Sequence, residues 1–220
     1  MEKTYWLDRW EHNDIGFHQA DVNAYLSKYW SELQLTHGSK VFVPLCGKSR
    51  DMLWLNEQGH GVLGIELSKL AVQAFFHENE YTPQHETNDK FEIFSINNLS
   101  ILCGNFLELG KNDLATVSAV YDRASLVALP PEMRERYVKH LMSILPPNTQ
   151  ILLITFDYPQ SEMAGPPFAV SPDEVKRHYQ QHADIRLLTQ LDVLEQNPRF
   201  QERGLSRIQE SVFLLTTHSI

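Results

Sequence analysis

One stretch constrains the fold more than any other. Val41-Phe42-Val43-Pro44-Leu45-Cys46-Gly47-Lys48-Ser49 runs from an unbroken apolar segment into a short loop and then into the helical pattern of residues 50–58. Roughly twenty residues after this loop, Val62-Leu63-Gly64-Ile65 ends on Glu66. Strand, tight loop, helix and a second strand closed by a carboxylate is the order in which a Rossmann-type unit holds a nucleoside, the acid taking the ribose hydroxyls. The usual Gly-x-Gly-x-x-Gly is absent, and Pro44 and Leu45 stand where small residues would admit a pyrophosphate. The ligand expected here is therefore a nucleoside without a pyrophosphate.

The surrounding pattern extends this unit into an α/β domain. Apolar runs predict strands at residues 40–45, 61–66, 99–104, 118–122, 150–156, 185–194 and 208–217, and residues 91–95 pair with 99–103 across Asn97-Asn98. Ser49 is placed to cap a helix that Gly59 closes, and Ser68 to cap residues 69–79. Pro131 opens a helix with Met133, Tyr137, Leu141 and Ile144 inward, and Ser171-Pro172-Asp173-Glu174 combines a capping box with proline at the first helical position. Val22, Leu26, Tyr29, Trp30 and Leu33 share one helical face, whereas residues 1–20 are aromatic-rich without a clean period. The first five strands alternate with helices, which implies a parallel sheet covered by helices on both faces; the last two have no helix between them and pair antiparallel.

Charge and cysteine usage narrow the function. With 19 basic and 28 acidic side chains among 220 residues the net charge is −9, which argues against nonspecific nucleic-acid binding and for a small-molecule substrate. The two cysteines, Cys46 and Cys103, have neither disulfide-framework nor zinc-site spacing. Without an apolar signal core in residues 1–10 or a membrane-length run, the expected location is the cytoplasm, as one domain over residues 1–220.

Ligands of open α/β sheets sit beyond the carboxyl ends of the strands, which selects residues 45–48, Glu66, residues 104–106, Asp122-Arg123 and Asp157-Tyr158. Glu66 reads as a ribose acceptor or a solvated strand-end acid. Asp122-Arg123 reads as a surface ion pair or as groups that bind the cofactor or steady an anionic substrate. Cys46 lacks a paired base and reads as packing. His178 and His182 have metal-ligand spacing without a third ligand, so a solvated helix face is expected. Trp6, Trp10 and Phe17, with His12 and His18, form either core or a lid whose π faces approach a sulfonium cation. Gly165-Pro166-Pro167-Phe168 is a stiffened loop, a candidate wall for the acceptor.

Val41 to Ser49, Tyr121-Asp122-Arg123-Ala124-Ser125-Leu126-Val127-Ala128, Gly165-Pro166-Pro167-Phe168, and the lead Arg9-Trp10 with Gly16-Phe17-His18-Gln19 together resemble the thiopurine S-methyltransferase family, over nearly the whole chain. Asn197 to Phe200 is similar to its bacterial branch. The resemblance implies a Rossmann-like class I methyltransferase fold, a mostly parallel seven-stranded sheet with an antiparallel C-terminal hairpin, and residues 1–35 as an extension over the cofactor. It implies S-adenosyl-L-methionine held by Trp10, the Leu45 backbone, Glu66, Asn105, Phe106 and Arg123, with S-adenosyl-L-homocysteine as product and no metal. The acceptor, a small aromatic thiol, would meet Phe17, Arg123, Pro167 and Arg199, with Arg203 a rival for the last. The expected catalytic residues are Arg123, as a source of positive potential at the thiolate, and Asp122, to orient an arginine or relay a proton; the expected state is a monomer without nucleic-acid or membrane partners. Selenium or tellurium acceptors, a nicotinamide oxidoreductase and a non-catalytic nucleoside-binding protein are the competing readings.

Overall fold

The computed structural model describes residues 3–218, and the chain divides between Tyr121 and Asp122 into two compact units. The first contains α1 (Lys3–Glu11), α2 (Ala24–Tyr29) with a 3-10 turn Trp30–Leu33, β1 (Lys40–Val43), α3 (Asp51–Glu57), β2 (Gly61–Glu66) and α4 (Lys69–Glu78). It continues through β3 (Gln84–Thr87), β4 (Glu92–Ile96) and β5 (Leu99–Cys103) into most of β6 (Val117–Arg123). β1 runs parallel to β2 and β6, and β2 parallel to β5. Central parallel strands are covered on both sides, which is why Val41-Phe42-Val43 and Val62-Leu63-Gly64-Ile65 are apolar without alternation and almost wholly buried. β4 is antiparallel to β5, with Asn97 left-handed (φ 51°) in the turn between them, and β3 is antiparallel to β4.

Caps set where these helices begin. The Ser68 hydroxyl accepts from Ala71 N–H at α4, and the Asn23 side chain accepts from Tyr25 and Leu26 N–H at α2. Asn23 N–H in turn donates to the buried Asp51 carboxylate (2.8 Å), which also receives the Tyr121 hydroxyl (3.0 Å). One acid at the start of α3 thereby ties the start of α2 to β6.

The second unit holds the end of β6, α5 (Pro131–Ile144), β7 (Gln150–Asp157), α6 (Pro172–Tyr179), β8 (Ala183–Asp192), α7 (Pro198–Glu202) and β9 (Gln209–Thr217). β9 is antiparallel to both β7 and β8. Pro131 and Pro172 occupy first turns, and the Ser171 hydroxyl accepts from Glu174 N–H. Arg134 is fully buried on α5; its guanidinium donates to the carbonyls of Leu129 (2.8 Å) and Ala169 (3.0 Å) and pairs with Glu174. A buried cation is tolerated only when its donors are taken up in this way.

Nine strands, not seven, are present among the described residues, and antiparallel pairs make the sheet pairing mixed rather than mostly parallel. The terminal antiparallel pairing is as expected. β3 carried no signal because its four residues, Gln84-His85-Glu86-Thr87, are all exposed and show no apolar alternation. No helix among the described residues is long and apolar enough to cross a membrane.

Close packing at the centre of the first unit is directly testable. A Cβ on Gly64 would stand 2.7 Å from Cys46 Sγ and 3.1 Å from Met52 Sδ. Gly64→Ala is expected to cost about 1–3 kcal/mol in urea unfolding, as overpacked cores do, and Cys46→Ala in the same chain to restore more than half of it. A Gly64→Ala variant as stable as the parent would contradict the packing described.

Candidate functional site

Three strand ends of the first unit meet at Glu66. β1 leads into residues 44–48, where Leu45 (φ 44°) and Gly47 (φ 53°) both adopt left-handed backbone. For leucine this costs about 1–2 kcal/mol, so the turn needs external support. Cys46 N–H donates to the Ile65 carbonyl (2.9 Å), and Gly47 N–H donates to Glu66 Oε2 (2.8 Å). Ser68 N–H donates to Glu66 Oε1 (2.8 Å), and Gly104 N–H, at the end of β5, donates to the Glu66 carbonyl (2.9 Å). The carboxylate thus fastens the loop after β1 to the start of α4. Burial pushes the Glu66 carboxyl up from its usual pKa, and the N–H groups of Ser68, Gly47 and Leu67 pull it back down. Each carboxylate oxygen has capacity for a further donor, so the group is held in one orientation and can still receive a pair of hydroxyls.

Trp10 lies over this loop. A Cβ on Gly47 would be 3.1 Å from Trp10 Cζ2, so a residue without a side chain is what lets the indole settle there. Phe17 meets Trp10 edge-on at 5.6 Å and Trp6 at 5.7 Å between ring centroids. Beyond β5, the Asn105 side chain accepts from Leu107 N–H (3.2 Å) and caps a 3-10 turn, Phe106–Glu108, with Phe106 buried. The structure therefore brings Trp10, Phe17, the Leu45 loop and Glu66 together, with Asn105 and Phe106 following the neighbouring strand. A fixed carboxylate with spare acceptor capacity lies in the same unit as these aromatic faces.

In the second unit Arg123 ends β6, half-buried, and Ala124 turns the chain through a left-handed conformation (φ 66°). Asp122 is different. It has no exposed surface; its carboxylate receives the Tyr137 hydroxyl (2.6 Å) and Leu126 N–H (3.3 Å), with Ser125 adding further bonds. Burial raises its pKa and these donors oppose the rise. Asp122 is thus a buried group tied to α5, not the surface acid that its place beside Arg123 left open.

The loop carrying Pro167 is pinned along its length. The Pro167 carbonyl accepts from the Tyr158 hydroxyl (2.5 Å), Phe168 N–H donates to the Val127 carbonyl (2.7 Å) and Ala169 N–H to the Gln160 side chain (2.9 Å). Arg199 is exposed on α7 with its guanidinium 5.2 Å from the centroid of the Phe200 ring, while Arg203 points Nη1 at Met163 Sδ (3.4 Å). His178 faces Glu174 at 3.4 Å, and no group of three or more His, Cys, Asp or Glu is placed to hold a metal among the described residues. Sequence reading missed Asp51 and Gln160, had Tyr158 only as a strand-end candidate beside Asp157, and took Tyr137 only as core. No local pattern announces a bond that joins Tyr137 to a residue fifteen positions earlier.

Comparison with known proteins now bears on this geometry. The family model described as thiopurine S-methyltransferase matches residues 1–218. The chain belongs to the thiopurine S-methyltransferase family. A thiopurine S-methyltransferase of Nitrosospira multiformis is 61% identical over 219 residues, covering 100% of each chain, and one of Azotobacter vinelandii is 48% identical over 215 residues, covering 98% of this chain and 99% of its own. Among solved structures, a Burkholderia thailandensis 1,6-didemethyltoxoflavin-N1-methyltransferase with bound 1,6-didemethyltoxoflavin and S-adenosylhomocysteine superposes with a TM-score of 0.64 at 15% identity, covering 99% of this chain and 87% of its own. The fold is that of the Rossmann-like class I methyltransferases, and the family is one of S-methyltransferases.

Within that family neither cysteine is placed as a nucleophile. Burial, and then the Glu66 charge, push the Cys46 thiol well above its usual pKa, and burial pushes Cys103 up to about 11. At pH 8 about one Cys103 thiol in a thousand is then ionised, and thiolate is the reactive form. Alkylation by iodoacetamide at pH 8 is expected to run about two orders of magnitude slower than for free cysteine until urea unfolds the chain. Rapid labelling of the folded protein would contradict these environments.

Proposed function

We propose that this protein transfers the methyl group of S-adenosyl-L-methionine to the sulfur of a small aromatic or heterocyclic thiol, thiopurines included. The observation that carries the cofactor half is the Glu66 carboxylate, buried, fixed by two backbone N–H groups and overlain by Trp10 at Gly47. When bound, adenosylmethionine supplies an electrophilic methyl on a sulfonium. The residues of this chain bind, orient and exclude water. Glu66 accepts the ribose hydroxyls, the Leu45 backbone and the Asn105-Phe106 segment line the nucleoside, and Trp10 keeps solvent from it.

The acceptor side is a matter of charge. A thiolate attacks and a thiol does not, so positive potential near the sulfur matters more than a strong base. Arg123 and Arg199 supply it, and Pro167 offers apolar surface to the ring. Much of the remaining acceleration comes from alignment, for which effective molarities of about 10⁵–10⁸ M set the scale.

The panel test is incubation with methyl-labelled adenosylmethionine and aromatic thiols, phenols, amines and selenium or tellurium oxyanions. Methylated sulfur is the expected product; methylated oxygen or nitrogen alone would overturn the reading. Removing a guanidinium raises the pKa of the bound thiol, so Arg199→Ala should cost about tenfold in kcat/KM at a pH below the acceptor's pKa and much less above it, where the free thiol is already ionised. An equal loss at every pH would show that Arg199 acts otherwise.

A further inference from the structure

We propose that Tyr137 is a positioning residue for Arg123, acting through Asp122. The inference rests on the reading of Arg123 as an acceptor-binding group, and extends it to a helix that bears no groups of the site.

Arg123 is followed at once by Ala124 in the left-handed region (φ 66°), a conformation that costs an L-residue about 1–2 kcal/mol. That reversal fixes the backbone on the C-terminal side of Arg123. Its lock lies on the opposite face of β6. The Asp122 carboxylate takes Leu126 N–H (3.3 Å) on one oxygen and the Tyr137 hydroxyl (2.6 Å) on the other, and Ser125 bonds it through both its backbone and its hydroxyl. The turn from 123 to 126 is thus closed around one buried carboxylate, and α5 holds that carboxylate through Tyr137.

The same helix face reaches the other acceptor-side segment. Arg134, one turn before Tyr137 and equally buried, donates to the carbonyls of Leu129 and Ala169. Val127, next to the Leu126 that Asp122 holds, accepts Phe168 N–H (2.7 Å), and Phe168 adjoins Pro167. The turn bearing Arg123 and the loop bearing Pro167 therefore share hydrogen bonds and a common support on α5. Misplacement of a binding group by about 1 Å can cost on the order of 100-fold, so a hydroxyl remote from the substrate can govern affinity for it.

The test is a double-mutant cycle read by calorimetry, using protein saturated with S-adenosylhomocysteine and 4-nitrothiophenolate as probe. Tyr137→Phe is expected to weaken thiolate binding about five- to tenfold when Arg123 is present and less than twofold in an Arg123→Ala background. Its fall in melting temperature should be the same in both backgrounds. Asp122→Asn, which keeps an oxygen for Leu126 N–H, should show the same dependence on Arg123 and serves if Tyr137→Phe folds poorly. Unchanged affinity in Tyr137→Phe, or the same loss in both backgrounds, overturns the proposal. If Arg123→Ala alone leaves thiolate affinity unchanged, the acceptor role of Arg123 falls as well, and that single variant tells the two failures apart.

Discussion

The bonds from Gly47 and Ser68 N–H to the Glu66 carboxylate are the interaction on which the first unit's chemistry depends. They stabilise a turn that contains leucine in a left-handed conformation and would otherwise relax. They also fix the orientation of a charge that burial alone would disfavour. A carboxylate free to rotate at a strand end could be solvated and bind nothing; one fixed by two backbone amides is preorganised for a pair of hydroxyls. Gly47 contributes twice, donating to Glu66 and leaving room for Trp10.

Each unit repeats one structural device: a buried carboxylate near a strand end that organises the turn beside it. Glu66 does so for the loop after β1, and Asp122 for the turn after β6. Their surroundings differ in what they leave over. Glu66 is bonded by backbone amides and retains acceptor capacity, whereas Asp122 is also bonded by Tyr137 and Ser125 and has no exposed surface. That difference separates a carboxylate with room for a further donor from one closed off within the fold.

Sequence reading recovered much of this where a local signal existed. β2 runs from Gly61 to Glu66 as its apolar run predicts, and the caps at Ser68 and Ser171 and the proline at the start of α5 are where the residue types place them. It did not recover β3, which is polar and exposed, and it left α1, whose aromatic residues follow no period, open between a helix packed on the core and a lid. For Asp122 a surface ion pair with Arg123 stayed open beside a functional role, since adjacency in the chain is visible and burial under α5 is not. Cys46, the residue that looks most reactive in the loop, packs against Gly64. The loop itself was legible because the departure from glycines at Pro44 and Leu45 is itself a signature.

The account stands most directly on whether Glu66 holds a ribose. Calorimetry of Glu66→Gln against S-adenosylhomocysteine and its 2′-deoxyribose analogue separates ligand recognition from support of the turn. A hydroxyl bonded to a charged acceptor contributes about 1.5–3 kcal/mol, so the substitution should weaken the natural product about ten- to a hundredfold and the deoxy analogue clearly less. The same loss for both ligands, or none for either, would contradict the assignment.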